Sequence, residues 1–305
     1  MTKSHLYFLS LICIVLMVAP PTKGFCQGQW TTEEVTFQSR GAKLVGTLFL
    51  PPGNGPHPVM IGVHGSGRID RSDLYQNEAA KYFAPRGVAF FIYDKRGVGK
   101  SSGKYPDSYS SSMVIYATDA LAAADELAGR SDIDASQIGL WGVSQAGWII
   151  PIAASMDQSR ISFTIIISGP TVSILEENLY SDLTGLTQGR PSGASDEEID
   201  RAMAAADSKG IDASAFIAEL KIPALWVYGA LDQSVPWRQG IADLKEIKEE
   251  WNRDFTWKVF EGANHGMRAA KTGGTWERPR PTKPVDGFFE YMAGWLRSRA
   301  GVPVR

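Results

Sequence analysis

Ser144 stands between small residues where an apolar run, residues 138–143, passes into a helix-like segment. Gly142, Ala146 and Gly147 surround it and permit a sharp strand-to-helix turn. Such a turn lifts a serine hydroxyl clear of a sheet and directs the N–H groups of the helix start beside it. The spacing is that of a G-x-S-x-G nucleophile elbow, with Ala146 in place of the last glycine. Alone the pattern is weak, because an ordinary turn has the same composition.

A serine nucleophile needs a general base, and the base needs a carboxylate that orients it. Beyond the N-terminal segment the chain offers His57, His64 and His265. His265 is favoured, because it lies in a glycine-flanked loop just after an apolar strand, where open α/β sheets hold their sites. Asp232 follows the preceding strand in the same way, although an aspartate in a turn is common. Ser144, Asp232 and His265 are therefore predicted to be the nucleophile, the orienting carboxylate and the base.

The elements that would position these residues alternate between short apolar strands and helices. Repeated strand-then-helix units predict an α/β fold with a mostly parallel sheet of about eight strands, covered by helices on both faces. The predicted strands are residues 35–37 and 44–50, as an antiparallel hairpin, and then 59–63, 88–93, 138–143, 161–167, 223–228 and 255–260. The predicted helices of this layer are residues 74–83, 112–127, 239–249 and 285–297.

Residues 171–220 interrupt the alternation, since a connection between two strands needs only one helix. Ser173 with Glu176, and Ser195 with Glu198, have capping-box spacing, which predicts two helix starts. The segment is therefore interpreted as a helical cap insertion that passes over Ser144. The side chains expected to form its apolar roof above the serine are Ile174, Leu175, Leu179, Tyr180 and Met203.

The N-terminus is predicted to be a cleavable signal peptide, residues 1–26, followed by one domain over residues 27–305. Lys3 is followed by uncharged, mostly apolar residues 6–19, a run too short for a membrane span of about 20 residues. No membrane span is expected after cleavage. A lipid anchor on Cys26 is the alternative, but the bulky Phe25 before it disfavours that modification. These features predict a periplasmic or secreted bacterial protein.

The charge balance excludes some partners. The 31 basic and 33 acidic residues nearly cancel, which argues against a nucleic-acid-binding protein. Gly99-Lys100-Ser101 suggests a phosphate-binding loop, but that motif needs a glycine where Asp94 stands. Neither a metal nor an organic cofactor is expected.

Four motifs, in this order along the chain, resemble the α/β-hydrolase-fold serine hydrolases. They are His64-Gly65-Ser66-Gly67, the loop 94–101, the Ser144 elbow, and the pair of loops with Asp232 and His265. The resemblance covers nearly all of residues 33–298. It is nearest to secreted bacterial esterases or serine peptidases with a short helical cap.

The resemblance implies an α/β-hydrolase fold and an oxyanion hole formed by the backbone N–H groups of Ser66 and Gln145. It also implies that the loop 94–101 is mainly structural. Ala146 is a mild departure from the family pattern.

The resemblance implies hydrolysis of carboxylic esters through an acyl-enzyme on Ser144. The apolar cap over residues 171–220 is expected to leave a compact pocket, which predicts a preference for short to medium acyl groups over long lipid chains. A peptidase of the aminopeptidase or prolyl-peptidase type is the alternative, because it would use the same residues on a short peptide. A carboxylate in the cap that grips a substrate amine would distinguish it, and Glu176, Glu177 and Asp182 are the candidates. A thioesterase acting on coenzyme A esters is disfavoured by the signal peptide, and a non-catalytic binding protein by the complete set of catalytic residue types.

Overall fold

The computed structural model describes residues 30–107, 109–206 and 212–305. The predicted signal peptide, residues 1–26, lies outside this part of the chain. No helix in these ranges is both long enough and apolar enough to cross a bilayer.

The described strands form an eight-stranded sheet in the order β1-β2-β4-β3-β5-β6-β7-β8. The hairpin β1–β2 is antiparallel and joins β4 antiparallel, while the neighbours from β4 to β8 pair in parallel. The predicted mostly parallel sheet of the α/β-hydrolase fold is thus confirmed. The strands are β1 (Thr31–Ser39), β2 (Ala42–Leu50), β3 (His57–Val63), β4 (Ala89–Tyr93), β5 (Ile133–Val143), β6 (Phe163–Ile167), β7 (Ala224–Gly229) and β8 (Phe255–Phe260).

Helices cover both faces of the sheet, as the continuously apolar strands require. The α-helices are α1 (Leu74–Phe83), α2 (Tyr109–Ala128), α3 (Ala146–Met156), α4 (Ile174–Thr184), α5 (Asp196–Ala204), α6 (Ser214–Ala218), α7 (Trp237–Trp251) and α8 (Phe288–Ser298). Side chains of α1 and α8 pack into the core on one face. Those of α2, α3, α6 and α7 pack into the core on the other face.

The region predicted as a cap contains α4, α5 and α6, but these helices have different neighbours. Both predicted capping boxes are present, Ser173–Glu176 at α4 and Ser195–Glu198 at α5. Helices α4 and α5 contact each other, whereas α6 contacts α3 and α7 and buries Ile217 in the large core. Only α4 and α5 are therefore candidates for a cap, and the boundaries 171–220 stay a prediction.

The last helix begins later than expected. It starts at Phe288 instead of residue 285, because Gly287 has a φ of 79°, which is incompatible with a right-handed helix. Its predicted apolar face, Phe288, Met292 and Trp295, is buried as expected.

Candidate active site

Ser144 occupies a strained turn between β5 and α3. Its φ is 58°, a left-handed conformation that is uncommon for a residue with a side chain. Two backbone hydrogen bonds hold it there: Ser144 N donates to Ile167 O at 2.9 Å, and Gly147 N donates to Ser144 O at 2.7 Å. Strain of this kind persists where the surrounding structure enforces it, and it concentrates at functional sites.

Small residues make the turn sterically feasible. A Cβ on Gly142 would lie 2.4 Å from the Cβ of Ala146, so a side chain at one of the two positions requires glycine at the other. A Cβ on Gly147 would lie 2.6 Å from the Cα of Gly169, in the loop after β6. Ala146 therefore fits the elbow in spite of its departure from the pattern, because Gly142 leaves room for its methyl group.

Asp232 and His265 are joined by a hydrogen bond between the loops after β7 and β8. His265 Nδ1 lies 2.9 Å from Oδ2 and 3.1 Å from Oδ1 of Asp232. The carboxylate is fully buried and also accepts the backbone N–H groups of Ser234, at 2.8 Å, and Val235, at 3.0 Å. With the Nδ1 proton held by the carboxylate, the neutral imidazole keeps its lone pair on Nε2.

Burial alone would lower the pKa of His265. The charge and hydrogen bond of Asp232 and the more distant charge of Glu177 outweigh it, and the pKa is raised above its ordinary value near 6.5. The imidazole therefore gains basicity from its carboxylate partner, as a general base requires.

The two loops approach each other through their backbones. A Cβ on Gly229 would lie 2.4 Å from the carbonyl oxygen of Ala263, so β7 must end on a glycine for the loops to meet. Asn264 Oδ1 accepts the N–H groups of Gly266 at 3.0 Å and Arg268 at 2.9 Å, which tightens the loop around His265.

Ser144 and His265 line the same cavity, with a volume of about 130 Å³. Gly65 lies beside them, and a Cβ on it would lie 3.7 Å from Ser144 Cβ. The loop that carries Ser66 is therefore adjacent to the serine. The other lining residues are Val63, Ile69, Asp73, Tyr75, Gln76, Val143 and Gly266.

His64 has a structural environment. It is buried, Nε2–H donates to the carbonyl of Tyr93, and Nδ1 accepts a hydrogen bond from Gln76 Nε2 at 2.8 Å. Burial, with the nearby charge of Lys95, lowers the pKa of His64 to about 4, so the ring stays neutral. His57 begins β3 and lies at the opposite end of that strand. His265 is thus the histidine among the three candidates that lines the cavity.

The loop 94–101 holds its neighbours by hydrogen bonds. Asp94 accepts the backbone N–H groups of Arg71 and Lys100, each at 2.8 Å. Arg96 forms a buried ion pair with Asp119 of α2. The Asp and Arg of the motif therefore fasten the loop to the fold.

Lys95, between them, is the residue that the sequence analysis missed. Its ammonium donates to Gly65 O at 2.5 Å, Gly67 O at 3.1 Å and Gln145 Oε1 at 3.1 Å. Burial lowers the pKa of Lys95 to about 7. The one signal in the sequence was a lysine directly after a continuously apolar strand, at the edge where the site residues gather.

The prediction that apolar side chains of the cap form a roof above Ser144 is wrong. None of the residues that line the cavity comes from residues 171–206. Tyr180 and Met203 pack with Ile199 in a small cluster of their own, and Leu175 is 53% exposed. The reason is that α4 is fastened to the Asp232 loop: Tyr180 Oη donates to Asp232 O at 2.9 Å, so its apolar side meets α5.

Trp148, in the first turn of α3, does not line the cavity. It is buried in the core, and its Nε1 donates to the carbonyl of Val172 at 2.8 Å.

Of the three carboxylates considered as amine anchors, Glu177 has the strongest relation to the site. Its Oε1 accepts Ser234 Oγ at 3.1 Å, and its charge acts on both His265 and Asp232. Burial raises its pKa. Glu176 is engaged in the capping box of α4, and Asp182 accepts the hydroxyl of Thr187.

The sequence matches the prolyl oligopeptidase family over residues 75–280, about two thirds of the chain. The chain belongs to this family. It is accordingly an α/β-fold serine hydrolase, as the resemblance of its motifs implied.

The curated relatives of this prolyl oligopeptidase family member include a transferase, a thiohydrolase and an esterase by name. A polyketide transferase of Penicillium crustosum is 30% identical over 158 residues, which are 48% of this chain and 47% of the relative. The chain thus spans about half the length of that curated relative.

Two solved structures share the fold. An esterase of Pyrococcus furiosus gives a TM-score of 0.63 at 15% identity, over 89% of this chain and 92% of that one. An acylaminoacyl peptidase of Pyrococcus horikoshii gives 0.62 at 16% identity, over 89% of this chain and 42% of that one. Esterases and peptidases are therefore similar in backbone to this chain to almost the same degree.

Proposed function

We propose that the protein hydrolyses carboxylic esters of short to medium acyl groups, with Ser144 as nucleophile, His265 as base and Asp232 as the group that orients the base. The observation that carries this proposal is the cavity shared by Ser144 and His265, with the hydrogen bond from His265 to buried Asp232 behind it. Membership of a serine hydrolase family supports the same assignment.

In the proposed reaction His265 Nε2 takes the hydroxyl proton of Ser144 as the oxygen attacks the acyl carbonyl. The N–H groups of Ser66 and Gln145 stabilise the oxyanion of the tetrahedral intermediate. His265 then gives its proton to the leaving alcohol, which departs and leaves the acyl-enzyme. A water molecule, deprotonated by His265, attacks the acyl carbon and releases the acid. Asp232 keeps the imidazole in the required tautomer and stabilises its cation throughout.

The size of the cavity supports a short acyl group. A volume of about 130 Å³ is below the roughly 300–1,000 Å³ of pockets that hold drug-sized ligands, so it favours a short acyl group over a long chain. Each methylene that the apolar walls bury contributes about 0.8 kcal/mol until that space is filled.

Labelling with a fluorophosphonate and hydrolysis of p-nitrophenyl esters of rising chain length test the proposal. Ser144→Ala should lose labelling and lower turnover on the order of a millionfold, while the protein stays folded. Retention of wild-type hydrolysis by Ser144→Ala would reject the assignment.

The acyl specificity has a test of its own. Ile69→Ala, in the cavity wall, should move the preferred ester to a longer chain. Leu179→Ala, in the separate cluster of α4 and α5, is the matched control and should leave the preference unchanged. If Leu179→Ala changes the preferred chain length and Ile69→Ala does not, residues of α4 and α5, and not the cavity wall, determine the acyl specificity.

A peptidase is the second candidate, and Glu177 is the observation that favours it. A half-buried carboxylate near the base could hold the free amine of a short peptide. Aminoacyl and prolyl p-nitroanilides, offered free and N-acetylated, test this. If the protein is a peptidase, it should prefer the free amines, and Glu177→Gln should abolish that preference.

We further propose that residues 1–26 direct export and are removed, leaving one domain over residues 27–305 in the periplasm or outside the cell. The mass of the protein recovered from the periplasmic fraction tests this. A chain that retains residues 1–26, or carries lipid on Cys26, would contradict it.

A further inference from the structure

We infer that Lys95 is a positioning residue for the oxyanion hole: it fixes both backbone donors, those of Ser66 and Gln145, from behind. This inference rests on the proposed hydrolase mechanism, because it assigns a role to the support of the proposed oxyanion hole. The ammonium bonds to both residues that flank Ser66 and to the side chain of Gln145 itself.

The geometry of the peptide bond makes the first link specific. Gly65 O and the N–H of Ser66 belong to one planar trans peptide unit, so they point in opposite directions. The hydrogen bond of 2.5 Å from Lys95 Nζ to Gly65 O therefore sets the direction of the Ser66 N–H. The second bond, to Gly67 O, restrains the peptide unit between Gly67 and Arg68, so the loop is held on both sides of Ser66.

The second link reaches the other donor. Gln145 follows the serine directly and precedes α3, and it is buried. Its Oε1 accepts from the same ammonium at 3.1 Å. One cation thus ties the loop after β3 to the residue after Ser144, although the two segments are far apart in sequence.

The link is also electronic. A charged donor on Gly65 O polarises that peptide, and polarised chains of hydrogen bonds strengthen one another. The Ser66 N–H at the other end of the peptide unit becomes a stronger donor toward an oxyanion. The effect is largest when negative charge develops, which is the condition for a group that lowers the barrier instead of merely binding substrate.

The environment of Lys95 is unfavourable for a lysine kept only for stability. Its side chain is buried, the Tyr116 ring centroid lies 4.6 Å from Nζ, and no carboxylate of the described residues pairs with the ammonium. A buried charge without an opposite charge is destabilising unless its partners compensate. Its three acceptors all lie on the two segments that carry the proposed oxyanion donors.

The test uses Lys95→Met, which keeps the length of the side chain and removes the ammonium. The assay is run below pH 7, where Lys95 keeps its proton. With p-nitrophenyl acetate, kcat should then fall on the order of 100-fold, as for the loss of one oxyanion donor, and KM should stay close to the wild-type value. The inhibition constant of phenylboronic acid, which forms a tetrahedral adduct with an active serine, should rise by a similar factor. If Lys95 only stabilised the fold, its loss would neither lower kcat selectively over KM nor weaken the binding of phenylboronic acid.

Lys248→Met is the matched control. Lys248 Nζ also donates to a backbone carbonyl, Phe255 O at 2.9 Å, and lies over the Trp257 ring, at the opposite edge of the sheet. Its kcat and boronate affinity should stay at the wild-type level. An equal loss in both variants would overturn the inference, because it would mean that removing any such lysine disturbs the enzyme.

Thermal unfolding tells whether Lys95→Met folds. If it does not, Lys95→Gln decides: its amide is neutral and shorter, so kcat should still fall at least about tenfold. Wild-type kcat in either folded variant would overturn the inference. The proposed hydrolase function fails separately, if Ser144→Ala keeps full activity, so the two failures are distinguishable.

Discussion

The two sides of the candidate site each place a histidine at the same edge of the sheet, and the two rings differ in basicity. His64, on the side of the proposed oxyanion hole, is buried beside the Tyr93 carbonyl, the Gln76 amide and the Lys95 cation, and its pKa is lowered to about 4. His265 is joined to Asp232, and its pKa is raised. The difference shows that a carboxylate partner, more than burial, decides which histidine can take up a proton near neutral pH.

The oxyanion side is organised around neutral acceptors. Lys95 and His64 both donate to backbone carbonyls there, at Gly65 and Tyr93, and both have lowered pKa values. The base side instead has a buried carboxylate that meets two backbone N–H groups and an imidazole. One side thus suits an incoming negative charge and the other an incoming proton.

Removing the carboxylate should make His265 resemble His64. In Asp232→Asn the amide no longer stabilises an imidazolium and favours the wrong tautomer, so turnover should fall on the order of 10⁴-fold. Steady-state hydrolysis of p-nitrophenyl acetate measures this loss. Asp182→Asn is the control, since that carboxylate accepts Thr187 away from the site. Similar activities of the two variants would contradict the conclusion that Asp232 makes His265 the base.

The pH dependence of kcat/KM should report the raised pKa of His265. Only the neutral imidazole can act as base, so activity should rise with pH, with a midpoint above the ordinary value of about 6.5. A midpoint near 4, which is the pKa of His64, would indicate that His64 and not His265 is the base.

The lowered pKa of Lys95 should make the stability of the protein depend on pH. Its pKa is about 7 when folded and about 10.4 in an unfolded chain, so between these values the unfolded state holds a proton that the folded state lacks. The contribution of Lys95 to the free energy of unfolding should therefore rise with pH in this window, by at most about 1.4 kcal/mol per unit. Two histidines titrate nearby. The pKa of His64 lies below the window, whereas the raised pKa of His265 gives a contribution of opposite sign that the wild type and Lys95→Met share.

Lys95→Met should lack this rise. Urea unfolding at pH 7 and pH 9 measures the free energy of unfolding of both proteins. Relative to the wild type, Lys95→Met should be more stable at pH 7 than at pH 9. Parallel stabilities at both pH values would show that Lys95 does not lose its proton on folding.

Local signals account for what could be predicted from the sequence. The small residues around Ser144 predicted the elbow, and the serine–glutamate spacings at Ser173 and Ser195 predicted two helix starts that the structure contains. The alternation of apolar strands and helices predicted the sheet. Each of these depends on neighbours within a few residues or on a repeated period.

Contacts between distant segments could not be predicted in this way. The apolar pattern of α4 is equally compatible with a roof over Ser144 and with packing against α5, and the hydrogen bond from Tyr180 to the loop after β7 decides between them. Lys95 has the same character, because its three acceptors come from two loops that meet only in the folded chain.

The smallest expected effect concerns Glu177, whose charge acts on His265 from α4 without touching it. That charge is one of the causes that raise the pKa of His265, so Glu177→Gln should move the midpoint of the kcat/KM profile to lower pH. The shift should be smaller than any caused by a change at Asp232, which contacts the ring directly. Asp182→Asn, on the same helix, should not move the midpoint. A shift to higher pH in Glu177→Gln would mean that Glu177 does not act on His265 through its negative charge, and the base side of the site would then depend on Asp232 alone.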